Sequence, residues 1–322
     1  MKPFNVFPYD SNIPFMRMRW VSLIVAALIM FVGIGAMATK GFNFALDFTG
    51  GVGIELRFQK APDVDDIRTR LTRAGYENAQ VQTFGTGTDL LVRLQDKPRE
   101  QVAHDAPNAA TGSIAQDVRR IVSLPDNPAE VRSSAQISAQ VGKELALNGV
   151  YALLFVIFGF LIYISFRFEW KFAVAAIITT LHDVVVVAGW FALTGHEFDL
   201  TVLAGVLSVM GYSINDTIVV FDRVRENFRG MRAPPYEVLN KSINQTLSRT
   251  VITSAVAFLT VMALYLYGGG SLRGMAESQM IGIIIGTLSS IFVACPLLMW
   301  LGVSKQDLLP KARDEAALAR RP

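Results

Sequence analysis

The chain contains 322 residues, of which 52% are hydrophobic and only 18% are charged, and its formal net charge at pH 7 is +3. The hydrophobic residues are gathered in runs of about 20, the length that an α-helix needs to cross a hydrocarbon core about 30 Å thick. This composition predicts a polytopic membrane protein and excludes an ordinary soluble domain. A single cysteine, Cys295, also excludes a disulfide bond within the chain.

Six stretches are long and apolar enough to be transmembrane helices. They are Trp20 to Ala38, Leu147 to Phe166, Phe172 to Thr194, Leu200 to Phe221, Thr250 to Tyr267 and Met275 to Val303. Arg17 and Arg19 precede the first stretch, as they would in a signal peptide, but no convincing cleavage site follows it. We therefore expect the first stretch to remain as a membrane anchor.

The orientation is predicted from the basic residues beside these spans. If residues 1–19 are cytoplasmic, the short cytoplasmic segments carry most of the flanking lysines and arginines, whereas the two short outer loops carry only Arg273. We predict that both termini are cytoplasmic, with a large loop on the outer side after the first span and a cytoplasmic tail at residues 304–322. Because the membrane topology accounts for the basic residues, we expect no nucleic-acid partner. We do expect the basic residues to contact membrane lipids.

The large loop, residues 41–146, is predicted to be a domain of its own. Its alternating and helical patterns give strand Val52–Phe58, helix Asp63–Ala74, strands Ala79–Phe84 and Asp89–Leu94, helix Ile114–Val122 and strand Glu130–Ile137. The order β-α-β-β-α-β is that of a ferredoxin-like α+β domain. Residues 95–111 fit no part of this pattern and are interpreted as a flexible insertion.

The fourth span contains a carboxylate, Asp216, about 9 Å from the charged end of the span. An ionised group at such a depth costs about 2.5–3.5 kcal/mol on insertion scales, so we expect it to have a function. The neighbouring residues Tyr212, Ser213 and Asn215 are possible supporting groups. The alternative is that these polar residues, which we call the polar stripe of the fourth span, only pack against other helices, with Asn215 as a hydrogen-bonding residue.

Arg249, at the start of the fifth span, is the expected counter-charge of Asp216, and Thr253 continues its helix face. A nearby positive charge favours the ionised carboxylate and burial favours the neutral one, so the two residues have the opposed influences that a proton switch requires. The alternative for Arg249 is an interfacial arginine that extends to water.

His182 and Asp183 lie near the middle of the third span. Consecutive residues point about 100° apart on a helix, so at most one of them is expected to join Asp216, and Asp183 is the better candidate. A neutral, hydrogen-bonded His182 is the alternative. The three histidines are scattered along the chain without zinc-type spacing, and no phosphate-binding loop is found, so neither a metal site nor ATP hydrolysis is predicted.

Two further patterns concern helix surfaces. Small residues recur about every fourth position in the sixth span and predict a close-packing face; they are Ser278, Gly282, Gly286, Ser289, Ser290 and Ala294. After Pro234-Pro235, an apolar stripe predicts a helix lying on the cytoplasmic membrane surface, or a contact for a cytoplasmic partner; it consists of Val238, Leu239, Ile243 and Leu247.

Three segments together resemble the SecD/SecF family of bacterial protein-export membrane proteins. They are Asp47-Phe48-Thr49-Gly50-Gly51, Gly211 to Asn227, and Asn244 to Thr250. The resemblance covers essentially the whole chain and implies a subunit of the SecDF complex, in the resistance-nodulation-division superfamily, that has SecD as partner. The resemblance further implies that the subunit acts together with the SecYEG channel and the SecA motor in the export of precursor proteins. The proton gradient would supply the energy, without a cofactor. The resemblance assigns the proton-coupling roles to Asp216 and Arg249.

Three functions are therefore open. The first is the proton-coupled export subunit; the second is half of a proton-driven exporter of small molecules or lipids from the same superfamily; the third is a non-enzymatic scaffold with Asp216 as a packing residue. We expect the outer domain to move as a lever with hinges at Gly50, Gly51 and Gly142, since glycine permits unusual backbone angles. The alternative is that these glycines only permit tight turns.

Overall fold

The fold comes from a computed structural model that describes residues 11–76, 79–84, 87–94, 107–137 and 139–308. It contains six helices long and apolar enough to cross a membrane, as predicted. Five are α1 (Arg19–Thr39), α5 (Ala139–Arg167), α6 (Trp170–Thr194), α7 (Leu200–Gly230) and α8 (Pro235–Tyr267). The sixth consists of α9 (Gly270–Ser289), a π-helical segment (Ser290–Ala294) and α10 (Cys295–Trp300). We call the end that carries the folded domain the domain end, and the opposite end the far end.

The last helix ends earlier than predicted, at Trp300 instead of Val303. Gly302 has a φ of 68°, a left-handed conformation that glycine adopts readily and that commonly stops a helix. The π-helical segment ends two residues before Pro296, whose missing N–H and bulky ring disturb the regular bonding of the preceding turn. A π-helical turn within a membrane helix often lies at a functional site.

The six helices are buried to very different extents. In the most apolar windows of α6 and of the sixth helix, 67% of the residues are buried, against 6% in α5 and 11% in α8. Helices α6, α7 and α9 therefore form the centre of the bundle. The contact of α7 with α9 is close because glycines face larger residues: a methyl group added at Gly282 would overlap Val209, and one at Gly205 would overlap Ser278. The predicted close-packing face of the sixth span is confirmed.

Residues between α1 and α5 form a folded domain around one antiparallel sheet. Its elements are β2 (Gly51–Phe58), α3 (Val64–Arg73), β3 (Gln80–Phe84), β4 (Asp89–Leu94), α4 (Pro107–Val122) and β5 (Ala129–Ile137). The strands lie in the order β3-β4-β2-β5. Ile54 and Leu56 of the central strand are fully buried against Ile67 and Leu71 of α3 and Val118 of α4, so both helices cover one face.

Helix α4 begins at Pro107, seven residues before the predicted Ile114. The end of the predicted insertion, residues 107–111, is therefore helical, while residues 95–106 lie outside the described residues. Helix α3 is preceded by Asp63, whose side chain accepts hydrogen bonds from the backbone N–H groups of Asp65 and Asp66. Asp63 is thus the N-cap rather than the first helical residue.

The domain is joined to the membrane helices through the loop between α6 and α7. Strand β1 (Asn43–Phe44) pairs in parallel with β6 (Glu197–Phe198) of this loop. The carboxylate of Asp47, in the short helix α2 (Leu46–Thr49), accepts a hydrogen bond from the backbone N–H of Leu200 at 3.2 Å. Asp47 therefore helps to cap the first turn of α7, the helix that contains Asp216.

The residues predicted to lie on the membrane surface form the first half of α8 instead. Their apolar stripe packs against the protein, because Val238, Leu239, Ile243 and Leu247 are all at most 5% exposed. The stripe is part of the cluster that includes Met16 and Phe228. The segment before α1 is fixed to α8 by the side chain of Asn244, which bonds both the N–H and the C=O of Ile13. The membrane-surface interpretation was wrong because the stripe has a protein neighbour.

Candidate functional site

Asp216 lies where α7 meets α8 and α9, and it is 4% exposed. Its Oδ2 accepts a long hydrogen bond from the hydroxyl of Ser254 on α8, with 3.5 Å between the oxygens. Ser254 also receives hydrogen bonds from Tyr212 of α7, at 2.9 Å, and from Thr287 of α9, at 2.7 Å. The carboxylate is therefore at the end of a hydroxyl cluster that joins three helices.

The sequence does not predict two members of this cluster, Ser254 and Thr287. The sequence signal for Ser254 is its spacing: it follows Thr250 by four residues, so the two hydroxyls lie on the same face of the helix. The predicted supporting residue, Thr253, is exposed instead, and its hydroxyl donates to the backbone carbonyl groups of Arg249 and Thr250. One residue along a helix rotates the side chain by about 100°, which carries Thr253 away from Asp216.

Arg249 is exposed in this chain. Within the described residues, no ion pair or hydrogen bond of 4.0 Å or less joins Arg249 to Asp216; the guanidinium acts on the carboxylate only through longer-range attraction. Such an attraction still matters in a membrane interior, where water screens charges poorly. Arg249 therefore influences Asp216 without a direct salt bridge, and its role as the counter-charge stays a prediction.

The other predicted residues of α7 point in different directions. Ser213 is fully buried and contacts α6, whereas Asn215 is exposed and faces outward. The polar stripe therefore divides into a part inside the bundle and a part on its surface. An exposed asparagine at membrane depth is expected to meet another protein, because lipid offers no hydrogen-bonding partner.

Asp183 forms a second polar cluster with α7 and α9. Its Oδ2 accepts hydrogen bonds from Ser213 at 2.5 Å and Ser289 at 2.7 Å. The Nδ1 of His182 lies 2.9 Å from its Oδ1. Although the two residues leave the helix in different directions, rotation about the side-chain bonds of His182 brings its ring to the neighbouring carboxylate. Asp183 does not join the Asp216 cluster directly. Ser289, which the sequence predicts only as a small packing residue, donates a hydrogen bond to Asp183.

The three predicted hinge glycines lie together at the junction of α2, β2 and α5. Gly50 and Gly51 have φ values of 71° and 133°, which other residues adopt only with strain. Gly142 is different: a Cβ there would lie 2.9 Å from the carbonyl oxygen of Phe48, so its missing side chain allows α5 to approach α2 closely. The glycines thus permit a tight turn and a close contact; their role as hinges stays a prediction.

A cavity of about 580 Å³, lined by both charged and apolar residues, lies at the domain end, between the sheet and the outer ends of the membrane helices. Arg93 of β4 forms an ion pair with Glu197 there. Burial lowers the pKa of Arg93, against the attraction of Asp199 and Asp47, which raises it. In the described part of the chain, no three His, Cys, Asp or Glu side chains are grouped so that they could hold a metal ion.

Comparison with known proteins identifies the family. The model of the C-terminal region of protein export membrane proteins SecD/SecF matches residues 117–304, and that of the SecD/SecF GG motif matches residues 35–62. Protein translocase subunit SecF of Pseudomonas aeruginosa is 42% identical over 94% of this chain and 96% of its own length. SecF of Escherichia coli O157:H7 is 38% identical over 94% of this chain and 92% of its own length.

The fold is also that of known SecDF structures. A crystal structure of SecDF from Thermus thermophilus, described as a translocon-associated membrane protein, is 35% identical and matches with a TM-score of 0.80. SecDF in a super-membrane-facing form matches with a TM-score of 0.64. Each match covers 94% of this chain but only 40% of the SecDF chain, so this chain corresponds to less than half of those proteins. The chain therefore belongs to the SecD/SecF family of protein export membrane proteins.

Proposed function

We propose that this protein is a SecF-type subunit that assists Sec-dependent protein translocation by using the proton gradient. It acts with SecD as its partner, on precursor proteins that pass through the SecYEG channel driven by SecA. The names of its relatives, which are translocase subunits, support this role and do not favour a small-molecule or lipid exporter. The subunit itself is not an enzyme and needs no cofactor.

We further infer that the protein lies in the bacterial inner membrane with both termini in the cytoplasm. The domain between α1 and α5 is then periplasmic. A ferredoxin-like fold for this domain is supported by its β-α-β-β-α-β element order and by the strand order β3-β4-β2-β5, in which the first and third strands pair at the centre.

The observation that carries the proposal is the incomplete bonding of Asp216. A carboxylate at membrane depth is tolerated when it is paired or fully hydrogen-bonded, or when it is kept for function. Asp216 is 4% exposed and, within the described residues, receives one hydrogen bond of 3.5 Å and no direct salt bridge. Its carboxylate is therefore free to take up a proton and to change its contacts with Ser254 when it does so.

Asp216→Asn tests the proposal. The amide keeps the shape of the side chain but cannot exchange a proton, so gradient-stimulated translocation into inverted membrane vesicles should fall to the level measured without a gradient. Asp222→Asn is the matched control: it is the same change on the same helix, and its carboxylate pairs with Arg167 near the end of the span. Normal stimulation in Asp216→Asn, with the variant inserted and bound to its partner, would exclude proton coupling at this residue and leave the scaffold role.

A further inference from the structure

A second set of buried polar groups surrounds the Asp183 carboxylate, which is fully buried near the middle of α6. It bonds to Ser213 of α7 and Ser289 of α9, whereas Asp216 bonds to Ser254 of α8. The Asp183 carboxylate of α6 thus contacts one face of α7, through Ser213, while the Asp216 carboxylate lies on another face of α7, towards α8. Both clusters also include a residue of α9 just before the π-helical segment, Thr287 in one and Ser289 in the other.

Three buried polar atoms of α6 and α7 are candidates for a site next to this cluster. They are Nε2 of His182 and the hydroxyl oxygens of Thr180 and Thr217, and none has a hydrogen-bonding partner in the part of the chain described here. All three side chains are more than nine-tenths buried. Buried polar atoms are rarely left unpaired, and ordered water is their usual partner when protein supplies none.

Helix geometry places the two threonine hydroxyls on the same side of Asp183. Thr180 precedes Asp183 by three residues on α6, and Thr217 follows Ser213 by four residues on α7. Because α6 and α7 run in opposite directions, each of these steps is about one turn towards the far end. Since Ser213 contacts Asp183, Thr180 and Thr217 are at a similar level, between the carboxylate and the far end of the bundle.

We propose that His182 and Asp183 form a second proton-exchanging site, which exchanges with water held by the hydroxyls of Thr180 and Thr217. On uptake, the neutral imidazole forms a bond from Nε2 to a proton of hydronium, which is left as water. The resulting imidazolium is balanced by the Asp183 carboxylate beside its Nδ1. Release reverses both steps. The coupling of this exchange to translocation rests on the proposed function.

Among the described residues, no lysine or arginine forms a hydrogen bond or an ion pair of 4.0 Å or less with Asp183. From α7 it faces Ser213, and from α9 it faces Ser289 and the backbone near Gly286. Asp216, the nearest acid along α7, directs its carboxylate to Ser254 of α8. Within the described residues, His182 is the titratable side chain in direct contact with Asp183. The protonation of one should therefore depend on the other.

Nitrogen-15 solid-state NMR of histidine-labelled protein, in its complex with SecD in liposomes, tests the proposal. The chain has three histidines, so the absence of one signal in His182→Gln assigns the ring of His182. We expect this ring to change between its neutral and protonated forms as the pH is varied, and the midpoint to be displaced in Asp183→Asn. A His182 ring that stays in one form over the whole pH range would overturn the proposal.

The route through water has its own readout, the exchange of the His182 ring protons with bulk water. In Thr180→Val with Thr217→Val this exchange should slow severalfold, whereas Thr246→Val should leave it unchanged. The Thr246 hydroxyl is also buried, but it donates to backbone carbonyls of its own helix. Exchange as fast in the double variant as in the wild type would overturn the route.

If Asp183→Asn does not accumulate in the membrane, variants that keep the carboxylate can test whether Asp183 belongs to the site. Ser213→Ala and Ser289→Ala each remove one hydrogen bond to Asp183, so each should displace the His182 midpoint; an unchanged midpoint in both would exclude Asp183 from the site. These measurements do not depend on translocation. The proposed function fails if Asp216→Asn retains gradient stimulation, and the second site fails if His182 does not titrate, so the two failures are distinguishable.

Discussion

Ser213 and Asp216 are three residues apart on α7, but their side chains bond to different helices: Ser213 donates to Asp183 of α6, and Asp216 accepts from Ser254 of α8. Helix α7 is therefore held by polar contacts on two faces at nearly the same depth. A change in the protonation of Asp216 would weaken or strengthen one contact while the other remains. Such an arrangement favours a small rotation or shift of α7 between its neighbours.

Arg249 should be necessary for coupling through its charge rather than through a specific salt bridge. We expect Arg249→Met to abolish gradient-stimulated translocation and Arg249→Lys to retain a large part of it, because lysine supplies the same charge without the two-pronged geometry of arginine. The measurement is translocation into inverted vesicles with and without a gradient. Arg223→Met, which removes a half-buried arginine paired with Glu226, should behave as the wild type. Full stimulation in Arg249→Met would contradict the prediction.

The sequence was sufficient to predict the six spans and the position of Asp216 in the fourth. Runs of about 20 apolar residues report the thickness of the membrane, and a carboxylate within such a run stands out because its burial is expensive. The strand Asp89–Leu94 was also predicted at its observed bounds, from its short run of apolar residues. These features depend on the local chain alone.

The partners of the two buried acids could not be predicted in the same way. Whether Thr253 or Ser254 meets Asp216 depends on the rotation of α8 about its axis, which the packing of neighbouring helices determines. The bonds from Ser289 to Asp183 and from Thr287 to Ser254 depend on the close approach of α7 and α9. Likewise, the stripe beginning at Val238 has an apolar pattern that fits either lipid or protein, and only the tertiary structure distinguishes the two.

The surface of α7 that carries Asn215 should be an interface with the partner subunit. Asn215 is exposed, and helices α5 and α8 are largely uncovered in this chain. A cysteine at Asn215 should crosslink to one of a series of cysteines along the equivalent helix of SecD. Val209→Cys is the matched control on the same helix. Val209 is 1% exposed and packs against Gly282 of α9, so a cysteine there should not crosslink. Crosslinking from Val209 but not from Asn215 would contradict this interface.

Gly142→Ala should weaken the attachment of the domain to α5. The added methyl group would lie 2.9–3.1 Å from backbone atoms of Phe48 and Gly50, which cannot move aside as a flexible side chain would. Overpacking of this kind costs about 1–3 kcal/mol, and we expect a lower unfolding temperature in detergent. Gly159→Ala on the same helix is the control, because no atom lies within 4 Å of its added methyl group. Equal unfolding temperatures of the two variants would refute the close contact.

Asp307 should stabilise the end of the chain's last membrane helix in a pH-dependent way. Burial acts to raise the pKa of Asp307, but hydrogen bonds from Lys171 and Ser304 prevail and hold it below its ordinary value. A carboxyl group with a lowered pKa stabilises the folded state above its unfolded pKa of about 3.9, and this stabilisation is lost as the pH falls through the folded pKa.

Asp307→Asn should therefore reduce stability at neutral pH by about 0.5–1.5 kcal/mol, the usual net contribution of a hydrogen bond. The difference from the wild type should be constant above about pH 5 and should shrink as the pH falls below about 4. Thermal unfolding in detergent at a series of pH values measures both effects. Asp126→Asn, which changes an exposed carboxylate, is the control. A difference that grew as the pH was lowered would contradict the assignment.

The outer domain is expected to transmit movement of α7 to precursor chains. The loop between α6 and α7 contacts the domain through the β1–β6 pairing, the Arg93–Glu197 ion pair and the hydrogen bond from Leu200 to Asp47. A shift of α7 would thus pull on the domain directly. The cavity of about 580 Å³ between the sheet and the ends of α8 and α9 gives the domain room to tilt.

A crosslink across this cavity tests the lever. Gln82 on the domain and Leu266 at the end of α8 both line the cavity, and the native Cys295 is buried, so cysteines at these two positions can be joined by a bifunctional maleimide with a reducible spacer. We expect gradient-stimulated translocation to be lost when the link closes and to return when the spacer is reduced. Each single-cysteine variant, treated with the same reagent, should keep its activity. Full stimulation with the link closed would mean that translocation does not require the domain to move against the membrane helices, and the glycines at the junction would then serve only to make the turn and the close contact.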